Sequence, residues 1–245
     1  MTDPTCHLYI VTGASRGLGR AIATQLAASG ATVLGLSRQA PPAEFEQWTC
    51  NLADPLPVAV RLGVWLGAFE PGRFSAAVLI NNAAMLADPR PLADVDLEEL
   101  SATTRVGLEA PLLLSAAFLR ATRGWTGQRR VLHISSGLGR RAMASQGPYC
   151  AVKAGLDHLA RAQALEEAQQ PNGAKVCSLA PGVVDTDMQI QLRGADPQGF
   201  PDRDAFVQMK TSGRLDSPST AAGKVIAYLT RADFGANPVA DVRDP

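Results

Sequence analysis

Apolar and polar positions along the chain follow two different periods. Short, continuous apolar runs ("LYIVTG", "ATVLGLS", "AAVLINNAA", "RRVLHISS", "AKVCSLAPG") are separated by longer segments whose apolar residues recur at helical spacing, such as "GLGRAIATQLAASG", "PVAVRLGVWLGAFE" and "SPSTAAGKVIAYLT". Strands that are apolar on both faces must be covered on both faces, and strands alternating with helices form parallel sheets. The pattern predicts an α/β fold: a Rossmann-type, doubly wound parallel sheet with helices on both faces, as a single domain over residues 1–245. "WTCNL" reads as a short further strand, and "LEELSATTRVGLEAPLLLSAAFLRA" and "YCAVKAGLDHLARAQALEEAQ" as the two longest helices. Ser217 before Pro218 predicts a capped helix start, and Gly30 predicts the end of the first helix. Residues 186–216 break the pattern, being polar, rich in Gly and Pro and only weakly helical. An insertion of this size in a compact domain is expected to be a substrate lid.

Charge and composition narrow the function. Lys plus Arg equals Asp plus Glu at 23 each, which argues against a nucleic acid as partner. The four cysteines (Cys6, Cys50, Cys150, Cys177) and three histidines (His7, His133, His158) show no ligand spacing, so neither a metal site nor a disulfide framework is expected. His133, inside an apolar strand, reads as a packed and hydrogen-bonded core residue. The start, "MTDPTCHLYIVTG", lacks a basic region and a cleavage site, and no stretch is apolar enough to span a membrane. The expectation is a soluble, cytoplasmic protein without a membrane partner.

Two stretches carry chemistry. In "YIVTGASRGLGRAIA", Gly13, Gly17 and Gly19 fall between the first strand and the first helix. Glycines there allow a tight strand exit, close approach of backbone to a pyrophosphate, and close packing of the helix, whose N-terminus holds the phosphate charge. The second strand ends in Ser37 and Arg38, where an NAD site tends to have a carboxylate, and Arg16 is available in the glycine loop. Guanidiniums suit a 2′-phosphate, so NADP(H) is the expected cofactor. In "PYCAVKAGL", Tyr149 and Lys153 stand four apart at a helix start, on one face. An ammonium near a phenol favours the phenolate, so the pair could exchange a proton near neutrality.

Taken in order, "TGASRGLG", "NNAA" (81–84), "ISS" (134–136), "YCAVK" (149–153) and "PGVVDT" (181–186) resemble the short-chain dehydrogenases/reductases over nearly the whole chain. The resemblance implies a catalytic set of Ser136, Tyr149 and Lys153, with Ser136 chosen over Ser135 because it lies thirteen residues before the tyrosine. Tyr149 would be the general acid, Lys153 would lower its pKa and hold the nicotinamide ribose, and Ser136 would bond the substrate carbonyl. It also implies Ser15 and Leu18 in the phosphate loop, Asn51 and Leu52 beside the adenine, Asn82 in the cofactor cleft, and Gly182, Val184 and Thr186 at the nicotinamide. The family pattern V-N-L-x-x-P appears here as "VGLEAP", with Gly107 in place of an asparagine that helps hold a relay water. Glycine would leave room for an extra water without reproducing the amide's bonds.

The C-terminal third resembles the sepiapterin reductases within that family, through "PGVVDTDMQ", "GRLDSPSTAA" and "PVADVRDP". By that resemblance Asp241 would anchor a pterin ring, although Val242 and Arg243 replace the aromatic residues of the family ending. The implied activity is NADPH-dependent reduction of a ketone or vicinal dicarbonyl, a pterin side chain among the candidates. The alternatives are a benzil-type diketone reductase and, from another class, a non-catalytic NADP-binding sensor. A homodimer or homotetramer through the two longest helices is expected, with a small carbonyl compound as the other partner.

Overall fold

The computed structural model describes residues 6–244; the acidic, proline-bearing start (residues 1–5) and residue 245 lie outside the described residues. Seven strands form one parallel sheet: β1 (His7–Thr12), β2 (Thr32–Ser37), β3 (Glu46–Thr49), β4 (Ala76–Asn81), β5 (Gln128–Ile134), β6 (Lys175–Ala180) and β7 (Val239–Asp241). Their spatial order is β3-β2-β1-β4-β5-β6-β7. The winding reverses between β1 and β4, and in doubly wound sheets a ligand crevice opens at that point beyond the strand C-termini.

The two faces of each strand feed two separate cores. Leu8, Ile10, Leu34, Leu79 and Val131 pack under helices α2 (Pro55–Gly67), α4 (Ala110–Ala121) and α5 (Gly147–Glu167). Their neighbours Tyr9, Val11, Val33, Val78, Ile80 and Leu132 pack under α1 (Gly17–Ala28) and α8 (Pro218–Leu229). This alternation is why the strands read as unbroken apolar runs. Helix α1 closes with Gly30 at φ +86, and the Ser217 hydroxyl accepts from Thr220 N at 3.1 Å to start α8, as the capping signals predict. Among the described residues, no helix is long and apolar enough to cross a membrane.

Three departures from the pattern bear on the site. The third strand lies slightly earlier than "WTCNL", at Glu46–Thr49. The segment 186–216 contains two helices, α6 (Asp187–Gly194) and α7 (Arg203–Thr211), where only weak helicity is expected. They hold together through a small apolar cluster of Leu192, Phe200 and Phe206 with Leu86. The stretch 97–121 comprises α3 (Leu97–Thr104) and α4 joined by a π turn at Arg105–Glu109.

Candidate active site

A cleft of about 980 Å³ opens at the strand C-termini, and the residues expected from the sequence to bind cofactor or substrate line it, whereas Gly107 does not. The glycine loop (Gly13, Ser15, Arg16, Gly17, Leu18, Gly19), Ser37 and Arg38 after β2, and Asn51 and Leu52 after β3 form one arm. Asn82 sits at the reversal point, and Gly182, Val184 and Thr186 follow β6. Ser136, Tyr149, Lys153 and Asp241 complete the wall.

The glycine loop is built for close approach. Gly17 has φ +56, open to glycine at little cost. A Cβ on Gly19 would stand 2.3 Å from Asn82 Nδ2 and 2.4 Å from Gly13 O. Asn82 in turn is fixed by donating to Thr12 O at 2.9 Å. The start of α1 therefore presents bare backbone N–H groups to the cleft, the chemistry a pyrophosphate requires. The acidic lining residues, Asp185, Asp187, Asp202 and Asp241, are all remote from β2 in sequence, and β2 itself ends in Ser37 and Arg38. A dinucleotide fits these residues. Two of the polar groups are already engaged: Ser37 Oγ donates to Gln39 O at 2.6 Å, and Arg16 Nη1 donates to Asp187 Oδ2 at 2.6 Å.

Ser136, Tyr149 and Lys153 come together where β5 and α5 meet. Ser136 caps the short turn 137–139, its Oγ accepting from Leu138 N at 3.2 Å. The Lys153 side chain is buried and Nζ donates to Ile134 O at 2.7 Å. Nζ stands 5.4 Å from the centre of the Tyr149 ring. Burial pushes the Tyr149 phenol up to about 12, and the Ser136 hydrogen bond brings it only part of the way back. Lys153 Nζ donates to an uncharged carbonyl, so its positive charge is retained beside the phenol ring and opposes the effect of burial. Burial lowers Lys153 itself to about 8, against the opposing pull of the Asp157 carboxylate.

Gly107 also differs from expectation. It is buried in the π turn, and a Cβ there would stand 2.5 Å from Val152 Cγ1. The room expected for an extra water is filled by the valine. A matching notch lies one turn on, where a Cβ on Gly155 would stand 3.1 Å from Leu108 Cδ1. The π turn and α5 thus interlock across two glycines.

Asp241 reaches the cleft at the end of β7, a strand the sequence pattern does not reveal. Its carboxylate is 5% exposed as a residue and is held by Arg243, with Nε on Oδ1 at 2.7 Å and Nη2 on Oδ2 at 2.5 Å. That pairing holds the acid well below the usual carboxylate range. The apolar end of the cleft is formed by Met85, Leu86, Met143, Met188, Leu192, Phe206 and Met209. Tyr149 packs against this cluster. Apart from Met188, in "PGVVDTDMQ", none of these residues is marked by a motif. They become a wall only when α6 and α7 fold back, which single-strand periodicity cannot express. His133 is fully buried, bonded to Asn81 Nδ2 at 3.2 Å and Gln163 Oε1 at 2.9 Å, as its place in an apolar strand suggests.

A parallel sheet with a phosphate-loop arm facing a serine, a tyrosine and a lysine defines a doubly wound oxidoreductase. The chain matches the short chain dehydrogenase family over residues 7–55 and 75–196, and it belongs to that family. It is an oxidoreductase of the kind that acts on CH–OH and C=O groups. It is 33% identical over 235 residues to a benzil reductase ((S)-benzoin forming) of Bacillus cereus, covering 92% of this chain and 94% of that one. It is 32% identical over 261 residues to the sepiapterin reductase of Rattus norvegicus, covering 98% and 97%. A solved structure from Beutenbergia cavernae, described as an NAD(P)-dependent gluconate 5-dehydrogenase with bound NADP, superposes with a TM-score of 0.80 at 29% identity, covering 97% of this chain and 95% of that one.

Proposed function

We propose that this protein is an NADPH-dependent reductase of apolar vicinal diketones, of the benzil class. The observation that carries the reading is the thioether and aliphatic wall beside Tyr149, together with an Asp241 carboxylate already occupied by Arg243. An aromatic diketone needs apolar, adaptable surface, which methionines supply. A pterin ring needs a free carboxylate for its amino-pyrimidine edge, and that group is engaged here. Similarity to the Bacillus cereus benzil reductase supports the same choice over the pterin reading. Arg16 and Arg38, with no carboxylate on β2, favour NADPH over NADH.

Bound NADPH would supply a hydride to the substrate carbonyl carbon. Negative charge then builds on the carbonyl oxygen. The Ser136 hydroxyl, oriented by Leu138 N, turns its proton from Tyr149 to that oxygen and stabilises it. The Tyr149 phenol, protonated across the neutral range because of its burial, gives its proton to the forming alkoxide. Lys153, held on Ile134 O, keeps a positive charge beside the transient phenolate and would hold the nicotinamide ribose of a bound cofactor. Helices α6 and α7 form the lid, excluding water from the wall they complete. The protein would assemble as a homodimer or homotetramer through α4 and α5, which leave Leu112 and Leu165 exposed.

The test is NADPH oxidation with benzil and sepiapterin in parallel, on wild type and Tyr149→Phe. Benzil turnover that falls by about 10²-fold or more in the variant, with NADPH binding kept, is the expected result. Sepiapterin turnover well above that with benzil would return the reading to pterins, and full turnover by the variant would remove Tyr149 from the chemistry.

A further inference from the structure

Next to the cleft lies a buried charge that the scheme above does not use. Asp157 stands on α5 one turn beyond Lys153 and is 2% exposed. Its Oδ1 accepts from the Ser135 hydroxyl at 2.6 Å and the Ser178 hydroxyl at 2.7 Å. Its Oδ2 has no hydrogen-bond partner among the described residues and faces Arg140 Nε at 3.4 Å. The chain after Ser136 closes directly over it, since a Cβ on Gly139 would stand 2.9 Å from Oδ2 and 3.0 Å from Lys153 O.

The partners are not a random set. Ser135 immediately precedes Ser136, so its bond fixes the end of β5 against α5. Ser178 lies on β6, which leads to Gly182. Arg140 also donates to Ala240 O at 2.6 Å, on β7 just before Asp241. One carboxylate thus ties α5, which carries Tyr149 and Lys153, to the three strand ends that carry the rest of the wall.

Two hydroxyls need an acceptor but no charge, and a neutral amide would serve them at far less desolvation cost. The charge calls for cations: Arg140 meets it from the partly exposed side, and Lys153, one turn back on the same helix face, is the buried one. We propose that Asp157 is a positioning residue of the reduction: it locks Ser136 in register with α5 and acts as the buried counter-charge of Lys153. This rests on the reductase reading of the cleft.

The other groups packed around the carboxylate leave Lys153 as the one that titrates in the working range. His133 on β5 is lowered to about 4 by burial, whereas Tyr149 on α5, Cys177 on β6 and Tyr228 on α8 are each pushed up to about 12, also by burial. Loss of the Lys153 proton therefore sets the alkaline limb of the reduction. Removing the Asp157 charge moves that limb to lower pH. Removing the opposing Arg140 charge strengthens the pull of Asp157 and moves the limb to higher pH.

The experiment is the pH dependence of kcat for NADPH-dependent benzil reduction in wild type, Asp157→Asn and Arg140→Gln, with unfolding followed alongside. The expected result is an alkaline limb lowered by about one pH unit in Asp157→Asn and raised in Arg140→Gln. Superimposable limbs, with only lower unfolding temperatures, would make Asp157 a structural tie and overturn the proposal. If Asp157→Asn does not fold, an unmoved limb in Arg140→Gln overturns it alone. Failure of the underlying reading looks different: wild type would then turn over no diketone, or Tyr149→Phe would turn it over at the wild-type rate.

Discussion

Val152 Cγ1 occupies the place where a side chain on Gly107 would begin, 2.5 Å from the ideal Cβ position. The two residues are therefore one unit. Restoring the family asparagine as Gly107→Asn forces the valine and the π turn apart, an overpacking that costs about 1–3 kcal/mol. Denaturant unfolding should register this loss, and Val152→Gly in the same chain should recover part of it. Additive effects of the two changes would show that the contact is not shared.

Arg16 and Asp187 join the glycine loop to the first turn of α6 through an ion pair whose side chains are 70% and 62% exposed. Such a pair is weak, about 0–1 kcal/mol, and yields readily to a phosphate that guanidinium binds bidentately. Asp187→Asn should tighten NADPH by a few-fold at most, by releasing the arginine. Arg16→Ala should weaken NADPH by about tenfold and leave NADH nearly unchanged. Fluorescence titration of both cofactors measures this, and equal losses for the two would remove the 2′-phosphate from Arg16.

The sequence reveals what local periodicity and short motifs encode. The strands of the cleft and the glycine loop are legible because each lies at the end of a strongly patterned element, and Ser136, Tyr149 and Lys153, which the family resemblance points to, stand together on the cleft wall. Strand β7 is not, since three residues, Val239–Asp241, carry no period. Spacing gives the Lys153 neighbour of Tyr149 but not the Ile134 carbonyl to which Lys153 Nζ donates. Asp157 has a visible signal, its four-residue offset from Lys153, yet only the fold brings Ser135, Ser178 and Arg140 around it. The same holds for Gly107, whose missing side chain gains meaning from Val152 on another helix.

Asp241 and Arg243 lie two residues apart and close a double contact on the cleft wall. Asp241→Ala should leave benzil kcat/KM within about threefold, because an apolar diketone offers it no partner. Arg243→Ala frees the carboxylate and should raise turnover of sepiapterin relative to benzil. Parallel NADPH-oxidation assays decide it. A loss of benzil turnover in Asp241→Ala would mean that the carboxylate, paired or not, touches this substrate.

His133 should leave a signature in stability rather than activity. Burial lowers its pKa from 6.5 to about 4, so the folded protein resists a proton that the unfolded chain accepts. Above the unfolded value neither state is protonated and the network with Asn81 and Gln163 contributes in full. As pH falls through the window between 6.5 and about 4, the unfolded state alone gains the proton and stability declines. The loss approaches about 3 kcal/mol by the bottom of that window. Urea unfolding at a series of pH values should show this slope in wild type. In His133→Gln, which keeps a neutral hydrogen-bonding side chain without the titration, the slope should flatten over the same range. An identical slope in the two proteins would assign the acid sensitivity to other groups.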